Sequence, residues 1–351
     1  MNEITVNASA AYKVLIQRGL LNSISLHIQE VTNASAVVIV TDDHVWPLFG
    51  KKLVSQLQDS GQFNVHSFVF PSGEQHKNAE TYLSLLEFLV QNHISRSDCM
   101  IALGGGVVGD LTGFTAATYL RGIDYIQVPT TLLAAVDSSV GGKTAIDLKA
   151  GKNLVGAFYH PKLVICDIDT FSTLPESVFR DGCAEIIKYA VLYDPELFSH
   201  LMKHGMGFDR EWVVRRCIEL KRDVVSRDEF DRGDRQKLNL GHTFGHGIER
   251  LSNYTIPHGQ AVSIGMSLIA RSAEKHQICS PATADQILSL LHLFNLPTQT
   301  QYTAHDIYES ALSDKKRTAK IVPLIFPEII GRCIVRPTNI SELEEYIQAG
   351  L

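Results

Sequence analysis

Short runs of apolar, β-branched residues alternate with amphipathic segments through the first half of the chain. The amphipathic segment at 79–91 has the spacing of a helix. Five apolar runs predict strands, at 36–40, 64–70, 99–103, 125–128 and 163–166. Strands separated by helices at this spacing are typical of a parallel sheet covered on both faces. We therefore expect an α/β N-terminal domain with a Rossmann-like parallel sheet, whose ligands bind beyond the carboxyl ends of the strands.

From about residue 175 the apolar positions recur with helical spacing instead. Long amphipathic segments predict helices at 177–192, 210–227, 236–251, 259–274 and 282–294. Near the C-terminus, 321–326 and 331–335 predict a small hairpin, and 341–348 predicts a last helix. We expect an α/β domain over 1–176 and a mostly α-helical domain over 177–351, with the active site in the cleft between them.

Composition narrows the class of protein. The chain has 351 residues, 45% of them hydrophobic and 20% charged, which is typical of a globular protein with a large core. The net charge of −6 argues against a nucleic-acid partner. The six scattered cysteines include no C-x-x-C pair, which favours reduced thiols. No apolar run is long enough for a bilayer, and the first residues show no signal peptide, so we expect a cytoplasmic protein without a membrane partner.

Three histidines, His242, His246 and His258, cluster in the second half of the chain. His242 and His246 are four residues apart and would share one face of a helix. His258 follows a turn-like stretch and could return to that face from the next helix. Three converging imidazoles favour a divalent metal ion, which is catalytic if one position stays open. The alternative is a set of helix histidines satisfied by carbonyl groups or water.

A glycine-rich turn follows the third predicted strand. The run Gly104–Asp110 matches G-x-G-x-x-G and opens a helical stretch, so its backbone amides could face a pyrophosphate. A simple tight turn is the alternative. Because the turn follows the third strand and not the first, the acidic residue for an adenosine ribose is sought at Asp42, which otherwise would be a turn or cap residue.

Polar loops follow other predicted strands at the same end of the sheet. They are 71–77, 129–131 and 136–144, the last of which contains two glycines before Lys143. Lys152 is likewise preceded by a glycine. The loop at 136–144 is not a P-loop, because the required glycine and lysine spacing is absent. A single lysine is more often solvated, but together these loops predict a site for a phosphate or carboxylate.

Several motifs together resemble the 3-dehydroquinate synthase family of sugar-phosphate cyclases. They are Gly104–Asp110, Asp137–Thr144, Ala184–Lys188, and Gly241–His246 with His258. The resemblance covers nearly the whole chain, from Asp42 to Lys316. Single motifs are shared more loosely with iron-dependent alcohol and glycerol dehydrogenases.

The resemblance implies an enzyme, a carbon–oxygen lyase that forms a homodimer and uses NAD and one divalent metal ion, zinc or cobalt. The implied reaction converts 3-deoxy-D-arabino-heptulosonate 7-phosphate into 3-dehydroquinate and phosphate, the second step of the shikimate pathway. NAD is implied to act catalytically. A ring hydroxyl is oxidised, phosphate is eliminated, the ketone is reduced again, and an aldol step closes the ring.

The resemblance also implies roles for individual residues. The implied metal ligands are Glu185, His242 and His258, a set that leaves room for substrate oxygens. Apolar neighbours would partly bury Glu185, which favours a cation partner over a solvated helix carboxylate. The implied catalytic residues are His246, Lys143, Asp137, Lys188 and Asn153. In this interpretation His246 transfers protons beside the substrate and is not a ligand.

Two larger sets are implied as well. The substrate-binding residues would be Arg121, Lys143, Asn153, Lys188, Lys221, Arg235, Asn239, His246, Lys315 and Lys316. The NAD-binding residues would be Asp42, Glu74, Lys77, Gly105, Gly106, Val107, Asp110, Thr130, Thr131, Asp137, Lys143, Lys152, Thr170, Thr173 and Leu174. Several cations on one side of a cleft suit a substrate that carries a carboxylate and a phosphate.

The chain departs from the family pattern at three places. Gln17 stands where a glycine is usual, and Val108 where isoleucine is common. The residues 317–320 replace the usual glycine spacing after Asp314, which leaves open which of Lys315 and Lys316 reaches the substrate.

Three other functions are alternatives for a chain with these motifs. A related cyclase making an inosose or a valiolone-type product would alter the residues that meet the substrate carboxylate, but Arg235 and Asn239 are intact. A polyol dehydrogenase would produce net NADH, and the many cations argue against its neutral substrate. A regulatory protein that only binds NAD or metal would have lost one of the site's reactive side chains, and the sequence lacks none of them. Two histidines and one glutamate accept zinc, cobalt or iron.

Overall fold

The computed structural model describes residues 2–315 and 320–351. The chain divides into two compact units. Unit 1 comprises Met1–Pro175 and Arg210–Phe230, and unit 2 comprises Glu176–Asp209 and Asp231–Leu351. Within the described ranges, no helix is both long and apolar enough to cross a membrane.

The strands, in chain order, are β1 Asn2–Val6, β2 Tyr12–Gln17, β3 Ala36–Asp42, β4 Asn64–Phe70, β5 Cys99–Gly104, β6 Asp124–Pro129, β7 Lys143–Leu148, β8 Gly151–Phe158, β9 Leu163–Asp167, β10 Ile321–Ile329 and β11 Arg332–Asn339. The helices are α1 Ile24–Gln29, α2 Lys51–Asp59, α3 Ala79–Gln91, α4 Gly106–Thr118, α5 Glu176–Tyr193, α6 Pro195–His204, α7 Arg210–Arg227, α8 His242–Leu251, α9 His258–Lys275, α10 Pro281–Leu293, α11 Ala304–Lys315 and α12 Leu343–Gly350.

Unit 1 is built on a seven-stranded sheet in the order β1-β2-β9-β6-β5-β3-β4. Strand β1 pairs antiparallel with β2, and the other neighbours pair parallel. Successive residues of the central strands point to opposite faces. Ile39 and Ile101 therefore enter one hydrophobic cluster, and Val38 and Met100 enter the other. The sheet is buried on both faces, which confirms the predicted parallel α/β fold.

Unit 1 also contains elements that the hydrophobic pattern did not predict. The predicted loop at 136–144 ends early, because β7 begins at Lys143 and forms a hairpin with β8. The helix α7 was expected in the second domain, within 177–351, but it groups with unit 1. It does so because it packs against β1, β2 and the helical turn Ala134–Ser138.

Unit 2 is mostly helical, with β10 and β11 forming the expected terminal hairpin. The continuous helix expected at 236–251 is interrupted. A 3₁₀ segment, Asp234–Asn239, is followed by Gly241 in the left-handed region (φ 77°), and α8 begins only at His242. A residue with positive φ does not continue a right-handed helix, so the glycine resets the direction of the chain just before the first histidine.

Helices α8 and α9 approach each other unusually closely. A Cβ atom on Gly265 of α9 would lie 2.0 Å from the Gly241 carbonyl oxygen, and one on Gly245 would lie 3.0 Å from the Ala261 carbonyl oxygen. The lack of side chains at these positions lets the two backbones touch. The rings of His242 and His258, each the first residue of its helix, consequently have centroids 5.4 Å apart.

We predict that Gly265→Ala lowers the free energy of unfolding by about 2 kcal/mol, because the added methyl group meets a backbone oxygen that can move only with its helix. Chemical denaturation would measure this loss. Gly207→Ala is the matched control, since a Cβ atom there meets no atom within 4 Å. Equal stabilities of the two variants would contradict the packing argument.

Candidate active site

Three helices of unit 2 bring the predicted metal ligands together. Glu185 lies on α5, His242 begins α8 and His258 begins α9. Glu185 Oε1 lies 3.5 Å from His242 Nε2 and 3.3 Å from His258 Nε2. One donor atom from each residue falls within 4.8 Å of the others. Residues far apart in sequence thus present one oxygen and two nitrogens to a common point.

The Glu185 carboxylate is the most deeply buried charge of this group, with 1% of the residue exposed. Both oxygens are buried and accept no hydrogen bond of good geometry from the described residues. The ammonium group of Lys188, one turn along α5, contacts the carboxylate. A buried carboxylate is costly unless cations surround it, so this donor set suits a divalent metal ion.

The ring of His242 is held in the form that a metal requires. Burial, aided by the charge of Lys188 and the neighbouring histidines, lowers the pKa of His242 well below its usual value. Its Nδ1 lies 3.0 Å from the Leu240 carbonyl oxygen, which can only accept a hydrogen bond. The neutral ring therefore carries its proton on Nδ1, and the lone pair of Nε2 faces Glu185.

His258 lies between two carboxylates. Its Nε2 faces Glu185, and its Nδ1 lies 3.5 Å from Glu249 Oε1. Burial lowers the pKa of His258, but the close contacts with Glu185 and Glu249 and their negative charge outweigh burial and raise the pKa to about 10. A metal ion that bound Nε2 would have to displace a proton from this ring.

His246 has a different environment from the other two histidines. It lies one turn after His242 on α8, and 48% of its side chain is exposed. With His242, Asn239 and Arg250 it lines a cavity of about 140 Å³. This exposure gives His246 access to a ligand in the cavity. Its proton-transfer role stays a prediction.

In unit 1, the residues predicted to bind NAD gather along one edge of the sheet. Five consecutive strands of the sheet pair parallel, in the order β9, β6, β5, β3 and β4, so their carboxyl ends lie side by side. Asp42 ends β3, whereas Glu74, Gly105, Thr130 and Thr170 follow β4, β5, β6 and β9. Helix α4 begins at this edge and presents its N-terminal amides there, a favourable position for a pyrophosphate.

Lys77 is the charged centre of this edge. The residue is 3% exposed, and its Nζ lies 2.8 Å from Glu74, 3.2 Å from Asp110 and 3.7 Å from Asp147. It also donates to Asn153 Oδ1 at 2.7 Å. Burial raises the pKa of Asp110 to about 6, and Lys77 offsets only part of this rise. One ammonium group thus joins the end of β4, helix α4 and the β7–β8 hairpin.

The remaining predicted residues of unit 1 differ in their burial and in their contacts. Asp42 Oδ1 accepts the amides of His44 and Val45, so the carboxylate caps a turn, and a ribose contact stays a prediction. Lys221 is buried on α7 and contacts the Asp137 carboxylate. Exposed positions are held by Arg121, Lys143 and Asn153. The turn after β9 contains Thr170 and Thr173, with Leu174 next. Gly106 and Val107 begin α4, Thr131 lies on the loop after β6, and Lys152 lies near the start of β8.

In unit 2, Arg235 and Asn239 share the 3₁₀ segment before α8, with Arg235 buried and Asn239 exposed. The predictions for Lys315 and Lys316 concern side chains outside the described part of the chain. Two residues near the sites were missed. Asp147 carries no distinguishing sequence signal. Glu249 does, because it lies three residues after His246 and seven after His242, on the same helix face.

Comparisons with known proteins show the family of the chain. Residues 67–181 match the family described as 3-dehydroquinate synthase N-terminal, and residues 182–317 match 3-dehydroquinate synthase C-terminal. A 3-dehydroquinate synthase of Pelobacter propionicus is 44% identical over 95% of this chain and 96% of its own. That of Clostridium botulinum is 42% identical over 97% and 99%.

Among solved structures, 2-epi-5-epi-valiolone synthase from Streptomyces hygroscopicus, with NAD+ and Zn2+ bound, has a TM-score of 0.88 and 25% identity, covering 99% of this chain and 98% of that one. The fold is that of the sugar-phosphate cyclase class. The chain belongs to the 3-dehydroquinate synthase family, as its motifs predicted. Its function is that of the family, in the shikimate pathway.

We predict that Lys77→Met lowers the free energy of unfolding by about 3 kcal/mol near neutral pH, because three carboxylates lose their shared cation. In the variant the folded-state pKa of Asp110 lies even further above its ordinary value of 3.8 than in the parent, where it is about 6. A carboxyl whose folded pKa is raised favours folding at low pH and loses that contribution as pH rises through the folded pKa.

The stability deficit of Lys77→Met should therefore be larger at about pH 8 than at about pH 5 in urea denaturation. Lys149→Met, at an exposed position of the same hairpin, is the matched control and should change stability little at either pH. A deficit that grows as pH falls would contradict this account of the Lys77 cluster.

Proposed function

We propose that the chain converts 3-deoxy-D-arabino-heptulosonate 7-phosphate into 3-dehydroquinate and inorganic phosphate, as a carbon–oxygen lyase dependent on NAD and one divalent metal ion. The observation that carries this proposal is the convergence of Glu185, His242 and His258 in a chain of this family. The three donors come from three helices, and the central carboxylate is buried. A structural ion pair would not need two histidines on the same carboxylate oxygen.

The metal would be held by Glu185 Oε1 and by Nε2 of both histidines. When bound, such an ion supplies polarisation of the substrate hydroxyl that is oxidised. Zinc or cobalt suits this donor set. Lys188 keeps the Glu185 carboxylate oriented through their contact, and its buried ammonium also adds positive charge for an anionic substrate. We assign it both roles.

The residues along the carboxyl edge of the sheet would hold NAD. The N-terminal amides of α4 would face its pyrophosphate, where Gly105 and Gly106 allow close approach. The chemistry that NAD supplies when bound is the transient oxidation of one ring carbon, which acidifies the neighbouring C–H and permits loss of phosphate. The related valiolone synthase, solved with NAD+ and Zn2+, supports both cofactors for this chain.

The anionic ends of the substrate would be bound by cationic and amide side chains. Arg235 and Asn239 would meet the carboxylate, and Arg121, Lys143 and Lys221 are further candidates for anionic groups. Their positive charge is local, since the chain as a whole is acidic. His246, exposed in the cavity beside His242, would exchange protons with the substrate.

We also propose a cytoplasmic homodimer. The six cysteines are buried free thiols, which suits a reducing compartment. Strand β8 exposes Leu154, Val155 and Phe158 along a hairpin, and such apolar surface favours association with a second copy.

We expect the purified protein, supplied with NAD and Zn2+ or Co2+, to release one phosphate per heptulosonate phosphate consumed. Absorbance at 340 nm should show no net NADH, since the cofactor returns to its oxidised form. Removing the metal with a chelator should abolish release, and adding either ion should restore it. Net NADH formation with a simple polyol, and no phosphate release, would contradict the proposal.

The two neighbouring histidines of α8 should differ on mutation. We expect His246→Ala to lower kcat by about 100-fold or more while metal content stays near that of the parent. We expect His242→Ala to lose the metal, because a ligand is removed. Elemental analysis beside phosphate-release kinetics separates the two effects. Metal loss in His246→Ala would return His246 to the ligand set.

A further inference from the structure

Glu249 is a buried carboxylate that neither the motifs nor the family resemblance assigns to the site. The residue is 3% exposed. Its Oε1 lies 3.5 Å from His258 Nδ1, and its Oε2 lies 3.9 Å from His246 Nε2. It stands on α8 seven residues after His242, so it shares the helix face of both α8 histidines. One buried carboxylate therefore faces a predicted ligand and the predicted proton-transfer residue together.

The contact with His258 decides which ring nitrogen can bind a metal. A neutral imidazole has one N–H, and an ionised carboxylate can only accept a hydrogen bond. With Glu249 beside Nδ1, the N–H belongs on Nδ1, and the lone pair remains on Nε2. That nitrogen is the one that faces Glu185, at 3.3 Å.

His242 is oriented in the same way by a different acceptor. Its Nδ1 lies 3.0 Å from the Leu240 carbonyl oxygen, and its Nε2 faces the same Glu185 oxygen. Both histidines thus have an acceptor behind Nδ1 and a shared target in front of Nε2. An acceptor behind a ligating histidine fixes the ring and strengthens its bond to the metal.

We propose that Glu249 is a positioning residue, which holds His258 in the tautomer and ring orientation that direct Nε2 at the metal. This inference rests on the proposed function, since it presumes that Glu185, His242 and His258 bind the ion. Glu249 would act through His258 without touching the ion.

A direct ligand role for Glu249 is the competing interpretation. His246, Glu249 and His258 also offer donor atoms within 4.8 Å of one another. That set would use Nδ1 of His258, which points away from Glu185. The Nε2 atoms of His258 and His242 both face the buried Glu185 carboxylate. The geometry therefore favours Glu249 as the residue that orients His258 and not as a ligand.

The test compares metal affinity in Glu249→Gln and Glu249→Ala with the parent protein, using Zn2+ competition against a chromophoric chelator. Orienting carboxylates of this kind typically change metal affinity by about 10–100-fold. We expect a loss in that range, larger for alanine than for glutamine, because glutamine keeps an acceptor oxygen. Affinities within about threefold of the parent, or a complete loss of binding as for His242→Ala, would overturn the proposal.

Glu274→Gln is the matched control, since it removes a carboxylate near the opposite end of α9 and should leave Zn2+ affinity unchanged. A double-mutant cycle adds a readout that a merely structural role would not move. In a His258→Gln background, where an amide oxygen can still meet the ion and keep the affinity measurable, Glu249→Gln should have little further effect, because the ring that it orients is gone. An undiminished effect there would overturn the proposal.

If the Glu249 variants fail to fold, nitrogen-15 spectra of histidine-labelled parent protein can still test the inference, because they report which ring nitrogen of His258 carries the proton. With Zn2+ bound, His258 should carry its proton on Nδ1, and a proton on Nε2 would overturn the inference. Parent protein that binds no metal would sink the proposed function and this inference together. Tight binding by the parent with unchanged affinity in both variants would sink this inference alone.

Discussion

The architecture of unit 2 depends on the burial of one carboxylate, Glu185. With 1% of the residue exposed, the group has almost no water to stabilise its charge. Burying an ion without partners costs several kcal/mol, so the surrounding helices must supply positive charge or polar hydrogen. Lys188 supplies part of it from the same helix, and His258 supplies the rest from α9. The neutral ring of His242 instead faces the carboxylate with a lone pair, which suits a metal ion between them. The glycines that let α8 touch α9 make this convergence possible.

Helix ends add a second electrostatic constraint to the same point. His242 and His258 are each the first residue of a helix, where the positive end of the helix dipole disfavours a cation. The negative charge of two buried carboxylates, Glu185 and Glu249, offsets this unfavourable interaction. In unit 1 the signs are reversed, because Lys77 is a buried cation among three carboxylates. Each unit thus stabilises one buried charge by surrounding it with opposite charge from separate elements.

Sequence reasoning succeeded where one physical signal dominated. Buried parallel strands appear in the sequence as apolar runs. One of the five predicted strands has the predicted ends, and in the other four each end lies within two residues of its prediction. It failed where tertiary contacts decided. Helix α7 looks like its neighbours in sequence, yet its partners are β1 and β2. The break before α8 depends on the left-handed conformation of Gly241, which the helical spacing around it conceals. The role of Glu249 depends on a contact with a residue in the next helix.

The histidine pair of α8 illustrates why spacing alone does not assign chemistry. His242 and His246 share a face, as a separation of four residues requires, and their ring centroids are 5.4 Å apart. Their surroundings differ because α8 begins at His242. The chain before it folds back so that the Leu240 carbonyl fixes one ring nitrogen, and burial keeps that ring neutral. His246, one turn further on, is half exposed, has Glu249 Oε2 at 3.9 Å from its Nε2, and opens into the cavity. A fixed, neutral, buried imidazole suits a ligand, whereas an exposed one suits proton exchange, so position relative to the helix start separates the two functions.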